Sequence, residues 1–332
     1  MVASEMTKEA KKLDKKDWKL LYHLCQDARL SHSKLGKLVG LSKNAVTYRI
    51  ERLKEKGIIK KFFTIVNHDS LGFNFFNILL RLNATKEQEK GLIDYLISHK
   101  NVSVVDSLVG EWNFLVEFGC KDIVTFYDFL SELKINFSHI LDTYETHFSL
   151  FPYKVEQLPV ELVEEKQQPK PFVKTKPVEV DETDLKLLLE LDKNSTATLF
   201  DLAKSLGITY ETVSTRIKKL KENGTILKIT AQISLAGLGY DVYVLLLDIR
   251  NLSQERESVL RGYINGQKNI RYAFLSATRP VLFIYLAVKK SDDLNIFLLN
   301  IKEKFADVIV NQKYLLSPEN FKYKLFPEGL IK

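Results

Sequence analysis

Cysteine, methionine and tryptophan are scarce, with two of each among 332 residues. Cys25 and Cys120 stand alone, too few to build a disulfide framework or a thiolate metal site. A reducing, cytoplasmic setting is expected, with no metal centre, no catalytic constellation and no cofactor. No run approaches the roughly 18 consecutive apolar residues of a membrane helix, so no membrane partner is expected. The stretch from Met1 to Lys19 is polar and lysine-rich, with no apolar core like that of a secretory signal. Charge excess is small, +7 from 49 Lys+Arg and 42 Asp+Glu, so its placement matters more than its size. Against these absences, 45% hydrophobic and 11% aromatic residues are ample for packed cores and exclude wholesale disorder. The length calls for two or more domains.

The chain repeats itself. Shifted by 167 positions without a gap, Asp14 falls on Asp181, Asp17 on Asp184, Leu35 on Leu202, Gly40 on Gly207 and Arg49 on Arg216. Leu53, Gly57 and Leu71-Gly72 fall on Leu220, Gly224 and Leu238-Gly239. Further on the shift is 168, placing Asn101-Val102 on Asn269-Ile270. Self-similarity at a fixed period means tandem duplication, here of a unit of about 150 residues. Five of the eight prolines fall between Pro152 and Pro177. The charged stretch among them reads as a semi-extended linker from about Leu158 to Pro177.

The front of each unit reads as three short helices. Asp14 caps the first and Asp17 reciprocates, with Trp18, Leu21, Leu24 and Cys25 on one stripe. Ser31 opens the second, with Leu35, Leu38 and Val39 inward. Gly40-Leu41-Ser42 turns the chain, and Ser42 caps a third helix from Lys43 to Lys56 that buries Val46, Ile50 and Leu53. Gly57 ends it. Such a trio is a helix-turn-helix, whose third helix offers its outward N-terminal residues to base edges in a major groove. The candidate DNA contacts are Ser42, Lys43, Asn44, Thr47, Tyr48 and Arg52, with Lys34 and Lys12 beside them, and Thr209, Tyr210, Ser214 and Lys218 in the second copy. Asn44 suits adenine; Lys43 and Arg52 suit guanine or phosphate. The same pattern also fits an amphipathic helix with a solvated polar face.

Charge placement favours DNA. Met1 to Lys61 holds sixteen Lys/Arg against seven Asp/Glu, a local +9, while Asp181 to Lys228 holds eight of each. Phosphate neutralisation drives sequence-independent affinity, so the first unit is expected to be the stronger binder. The second has Asp201 where the first has Lys34, and Glu211 where the first has Asn44.

The back of each unit reads β-α-β-β-α-β. In the first copy the elements are Phe75–Leu82, Lys86–His99, Val102–Val109, Trp112–Phe118, Ile123–Leu133 and Ile140–Phe148, and the second copy repeats the order. This is the ferredoxin-like split βαβ pattern, whose bare sheet face calls for burial against another copy. His139 and His147 are read as exposed strand histidines. The expected fold is α+β: two tandem copies of a winged or helix-turn-helix domain plus a ferredoxin-like domain. The boundaries are a DNA-binding domain at 1–66, a ferredoxin-like domain at 67–157, a linker at 158–178, a second helix-turn-helix at 179–233 and a second ferredoxin-like domain at 234–332.

Leu13-Asp14, Gly40-Leu41-Ser42, Arg49-Ile50, Leu53, Gly57, Leu71-Gly72 and Gly110-Glu111-Trp112-Asn113, in this order, resemble the Lrp/AsnC family of prokaryotic transcription regulators. The resemblance covers nearly the whole chain, twice. It implies binding of double-stranded DNA, self-association through the ferredoxin-like sheets, within one chain or between chains, and an amino-acid effector near the β2–β3 turn of that domain. Gly110, Glu111, Trp112 and Asn113 are the effector candidates. Asn113 replaces the family's usual acid, and the second copy has Ala277-Thr278-Arg279-Pro280 there instead.

Siroheme decarboxylases resemble the same family and can consist of two such units. Their paired arginines after the third helix correspond to Lys60-Lys61 here, and their His-x-Tyr-Asn run is absent, with Val109-Gly110 preceding Glu111. A third alternative is a duplicated interaction scaffold that has lost DNA binding. The favoured reading is a transcription regulator with an asymmetric site, because the copies differ at Lys43/Tyr210, Asn44/Glu211, Thr47/Ser214 and Tyr48/Thr215.

Overall fold

The computed structural model describes residues 12–150, 152–159, 178–278 and 281–331. The leader lysines Lys8 and Lys11, most of the Pro-rich stretch, and Arg279-Pro280 lie outside the described residues.

The first unit begins with α1 (Lys15–Gln26), α2 (His32–Val39) and α3 (Lys43–Glu55). Each starts on a side-chain cap. Asp14 and Asp17 form a reciprocal capping box, Ser31 accepts from Lys34 N, and Ser42 accepts from Ala45 N. Gly40 closes α2 in the left-handed region (φ 66°), a conformation that glycine adopts without Cβ strain. Leu20, Leu24, Leu35, Val39, Val46, Ile50 and Leu53 pack into one core. Leu38 is instead 46% exposed: with Leu35 and Val39 filling the inner stripe of a two-turn helix, it falls on the outer side. In the second unit α6 (Glu182–Lys193), α7 (Leu199–Leu206) and α8 (Tyr210–Glu222) repeat the trio, with Asp181, Thr198 and Thr209 as caps.

The strands after the third helices, β1 (Ile59–Val66) and β7 (Ile226–Ile233), do not form separate wings. They pair with each other, antiparallel, and tie the two helix-turn-helix units into one body. Arg29 reinforces the joint by donating to the carbonyls of Ser195 and Ala197, both at 2.9 Å.

The ferredoxin-like elements follow as expected. They are β2 (Asn74–Leu82), α4 (Lys86–Ser98), β3 (Val102–Ser107), β4 (Phe114–Cys120), α5 (Ile123–Phe137) and β5 (Leu141–Phe148). The second copy has β8 (Asp241–Ile249), α9 (Gln254–Gly266), β9 (Ile270–Leu275), β10 (Val281–Val288), α10 (Ser291–Lys304) and β11 (Ile309–Leu316). Each sheet has five strands because the halves exchange arms. The arm after β5 adds β6 (Lys154–Val155) to the edge of β9, and the arm after β11 adds β12 (Asn320–Tyr323) to the edge of β3. The exchange is pseudo-symmetric down to the capping lysines. Lys154 Nζ donates to the carbonyls of Asn265 and Gln267 at the end of α9; Lys322 Nζ donates to those of Ile97 and His99 at the end of α4. A cation at a helix C-terminus meets the negative end of its dipole.

This corrects the linker boundary. Leu158 is buried in the core of the first helix-turn-helix, so the packed arm runs through Leu158 instead of ending at 157. The two sheets pack face to face within the chain, joining Leu79, Leu108, Trp112 and Leu115 to Val244, Leu246, Phe274, Phe283 and Leu315. The intramolecular pairing expected from the bare sheet faces is therefore present. His147 sits in this interface, 2% exposed, with its ring edge-on to Phe283 at 5.0 Å. Reading it as an exposed strand histidine is corrected: the face of β5 that it occupies is covered by the second sheet.

Candidate nucleic-acid interface

The start of α3 is open to solvent. Ser42, Lys43 and Asn44 are exposed and Tyr48 is 67% exposed, with Lys34 and Lys12 also exposed. Thr47 is half-buried: its hydroxyl donates to Lys43 O (3.0 Å) and lies 2.7 Å from His32 Nδ1, which ties α3 to α2. In α8, Thr209, Tyr210, Ser214 and Lys218 are exposed, as is Glu211. Glu211 carries a carboxyl held below its usual value by a backbone hydrogen bond, so it stays ionised at the exposed start of α8.

Arg52 is placed differently from its outward assignment. Its NH2 group meets both carboxylate oxygens of Asp17, at 2.7 and 2.6 Å, and Arg49 meets Asp17 and Asp14, both at 2.7 Å. Asp17 is 2% exposed, so its charge needs these partners. Arg52 thus locks α3 against the start of α1. In the second copy, among the described residues, Arg216 alone meets Asp181 and Asp184 as an ion pair, at 2.7 Å each, and holds the Asp181 carboxyl below its usual value.

The hairpin residues Gly110 to Asn113 do not converge on a binding space. Glu111 pairs with Lys313 (2.7 Å), Trp112 is buried in the inter-sheet core, and Asn113 Oδ1 accepts from Leu82 N (2.7 Å). Gly110 has φ +146°, and a Cβ there would lie 2.6 Å from Leu315 Cδ2, so the glycine fits the turn against the second sheet.

A large cavity lies elsewhere, between the sheets and the β1–β7 ribbon. Its volume is about 680 Å³. Asn77, Asp106 and Glu117 of the first sheet line it, as do Arg271, Tyr272 and Tyr285 of the second. Burial pushes Glu117 up to about 7 and Asp106 up to about 6, although Ser103 hydrogen-bonds the former and Asn320 and Tyr285 the latter. His68, also in the lining, is drawn down to about 4 by burial and is neutral at pH 7. Sequence reasoning passed over these residues. The signal was there: on strands that alternate inward and outward, Asn77 and Glu117 occupy interface positions that hold Val244 and Tyr285 in the other copy.

Comparison with known proteins agrees with this geometry. A winged helix-turn-helix DNA-binding model matches residues 13–60 and again 180–226. The HTH-type transcriptional regulator FL11 of Pyrococcus furiosus is 30% identical over 119 residues, 36% of this chain and 78% of that protein. The transcriptional regulator AzlB of Bacillus subtilis is 31% identical over 120 residues, 36% of this chain and 76% of that one. The solved structure of the siroheme decarboxylase NirDL has a TM-score of 0.63 at 16% identity, covering 95% of this chain and 96% of that one, a likeness of fold. The two winged helix-turn-helix matches and the regulator relatives together make this a DNA-binding transcription regulator. The chain belongs to the Lrp/AsnC-type helix-turn-helix regulators, with the unit written twice. Among the described residues no helix is long and apolar enough to cross a membrane.

Proposed function

We propose that one chain does the work of a regulator dimer, reading an asymmetric duplex site with the first helix-turn-helix as the dominant contact. The observation that carries this is the contrast between exposed Lys43, Asn44 and Tyr48 on α3 and exposed Tyr210 and Glu211 on α8, on units held together by the β1–β7 pair. Asn44 reads adenine, Lys43 meets guanine or phosphate, and the half-sites lie about one helical turn or a multiple apart. Ser214 and Lys218 give the second unit a weaker, backbone-level contact. The protein acts in the cytoplasm, needs no cofactor for DNA binding, and responds to a small-molecule effector. Selection from a random duplex pool, followed by hydroxyl-radical footprinting, tests the reading. An enriched non-palindromic site with stronger protection on one half is expected; a palindrome, or no enrichment, would overturn it.

A second reading, a tetrapyrrole decarboxylase, draws on the whole-chain likeness to NirDL and on Lys60, His68 and Arg271 lining the cavity. The lining argues against it. Asp69, Asp106, Glu117, Glu156, Asp241 and Glu319 outnumber Lys56, Lys60 and Arg271, a poor match for a polycarboxylate substrate. A stoichiometric Soret band after incubation with siroheme would favour the enzyme instead.

A further inference from the structure

The faces that the two helix-turn-helix units turn to solvent are opposite in charge. In the first unit Lys16 Nζ donates to Gly40 O (2.8 Å) and Arg49 meets Asp14 (2.7 Å), which sets the start of α1 on one side of the exposed stripe of α3. The contact between His32 and Thr47 sets the start of α2 on the other side. Lys12 and Lys15 at the first helix start, Lys34 at the second and Lys43 at the third are all exposed. The matching residues of the second unit are Glu179, Glu182, Asp201 and Tyr210, with Glu211 in place of Asn44, and all are exposed too. Among the described residues none of the four lysines meets an acid, and none of Glu179, Asp201 and Glu211 meets a cation. Glu182 meets the exposed Lys186 of its own helix (2.8 Å).

Acids in the first turn of a helix meet the positive end of its dipole, which accounts for Glu182, Asp201 and Glu211 one at a time. It does not account for Lys15, Lys34 and Lys43, which carry the opposite sign at that same end. Nor does it account for two exposed aromatic rings. Phe200 is 73% exposed where the first unit has Ser33, and Tyr210 is 55% exposed where it has Lys43. Exposed aromatics rimmed by charge mark protein-binding surfaces.

We propose that the second face of one chain docks on the first face of another, head to tail, and that DNA displaces it. Glu182, Asp201 and Glu211 meet the lysines, and Phe200 and Tyr210 lie against lysine ammonium groups and their stems. The occupant is a second copy, because the complementary basic face belongs to this same chain and lies out of reach of its own acidic one. The β1–β7 pair and the bonds from Arg29 to Ser195 and Ala197 hold the two units side by side. Such a contact is heterologous, so it links chains into strings or rings instead of closing a two-fold pair. It is separate from the sheet-to-sheet pairing, which the chain satisfies within itself. Duplex DNA and the acidic face need the same lysines. Free chains at high concentration therefore cover their first unit, and DNA uncovers it. This competition rests on the proposed regulator; the docking itself does not.

Sedimentation velocity on the full chain tests the docking at about 1–100 μM, in about 0.05 M and about 0.5 M salt. Concentration-dependent association is expected at low salt, weaker by about tenfold or more at high salt. Lys15→Glu/Lys34→Glu/Lys43→Glu makes both faces acidic, and Glu182→Lys/Asp201→Lys/Glu211→Lys makes both basic. Each variant alone should associate at least about tenfold more weakly, and an equimolar mixture of the two should associate again. Circular dichroism and the thermal midpoint verify that each variant folds. A native chain that stays monomeric at about 100 μM in low salt overturns the proposal. Association that survives in both variants, or a mixture that fails to restore it, overturns it equally. Adding a duplex of mixed sequence separates the readings, and dissociation of the assembly is expected. DNA binding that leaves the assembly intact overturns the shared face; docking without any DNA binding leaves the docking standing and removes the regulator.

Discussion

The two halves of the molecule share caps, turns and sheet order, yet their working faces diverge. At the start of the third helix the first half exposes Lys43 and Asn44 and the second Tyr210 and Glu211. On the inner sheet face the first half holds Asn77, Asp106 and Glu117 and the second Val244, Phe274 and Tyr285. Positions that build the fold have stayed alike because each unit must still fold by the same packing. Positions at the exposed starts of α3 and α8 or at the shared cavity have separated, and they can do so because fusion makes every chain carry one of each.

The largest difference in stability should appear at the paired acids. Asp17 serves two arginines, Arg49 and Arg52, whereas Asp184 serves Arg216, and the residue matching Arg52 is the exposed Lys219. Asp17→Asn should cost about 2–3 kcal/mol, because it takes from Arg52 the carboxylate it meets, and Asp184→Asn about half that, because Arg216 keeps Asp181. Urea denaturation measures both; equal costs would mean that the ion networks are equivalent.

The cavity carboxylates give the next effect. Glu117 and Asp106 have raised values in the folded protein, so between the usual carboxylate range and about pH 7 the folded state holds more protons than the unfolded chain. Stability must then fall as pH rises through that window. Glu117→Gln should flatten the fall and stabilise the protein at pH 8 by about 1–3 kcal/mol. Tyr285→Phe, at the matching position of the other sheet, should leave Glu117's share in place. Denaturation from pH 4 to pH 8 reads the slope, and an unchanged slope in Glu117→Gln would contradict the assignment.

The smallest effect concerns the second recognition helix. Glu211→Asn removes a fixed negative charge and restores the first copy's residue, and should raise duplex affinity about fivefold. Fluorescence anisotropy checks this; no change would place α8 away from the DNA.

Much of this was legible in the sequence. Asp14 and Asp17, Gly40, Gly57 and the strand alternation from Phe75 to Leu82 are local signals, and local geometry follows from them. What escaped is non-local. Strands β6 and β12 have two and four residues, too short for any periodicity, and only the partner sheet's free edge makes them strands. Arg52 looks outward on a helical projection; the buried Asp17 that claims it lies on another helix. His147 reads as an exposed strand histidine until the second sheet covers it. Burial of a polar residue against another domain leaves no mark in its own element.

The dependence of duplex affinity on salt tests the asymmetric binder most directly, for the native chain, for Lys43→Ala/Asn44→Ala/Tyr48→Ala, and for Tyr210→Ala/Ser214→Ala/Lys218→Ala. A steep native slope is predicted, with the first variant about a hundredfold weaker and its slope lower by about one, and the second variant less than about tenfold weaker. A native chain without a salt slope, or two variants equally impaired, would contradict it.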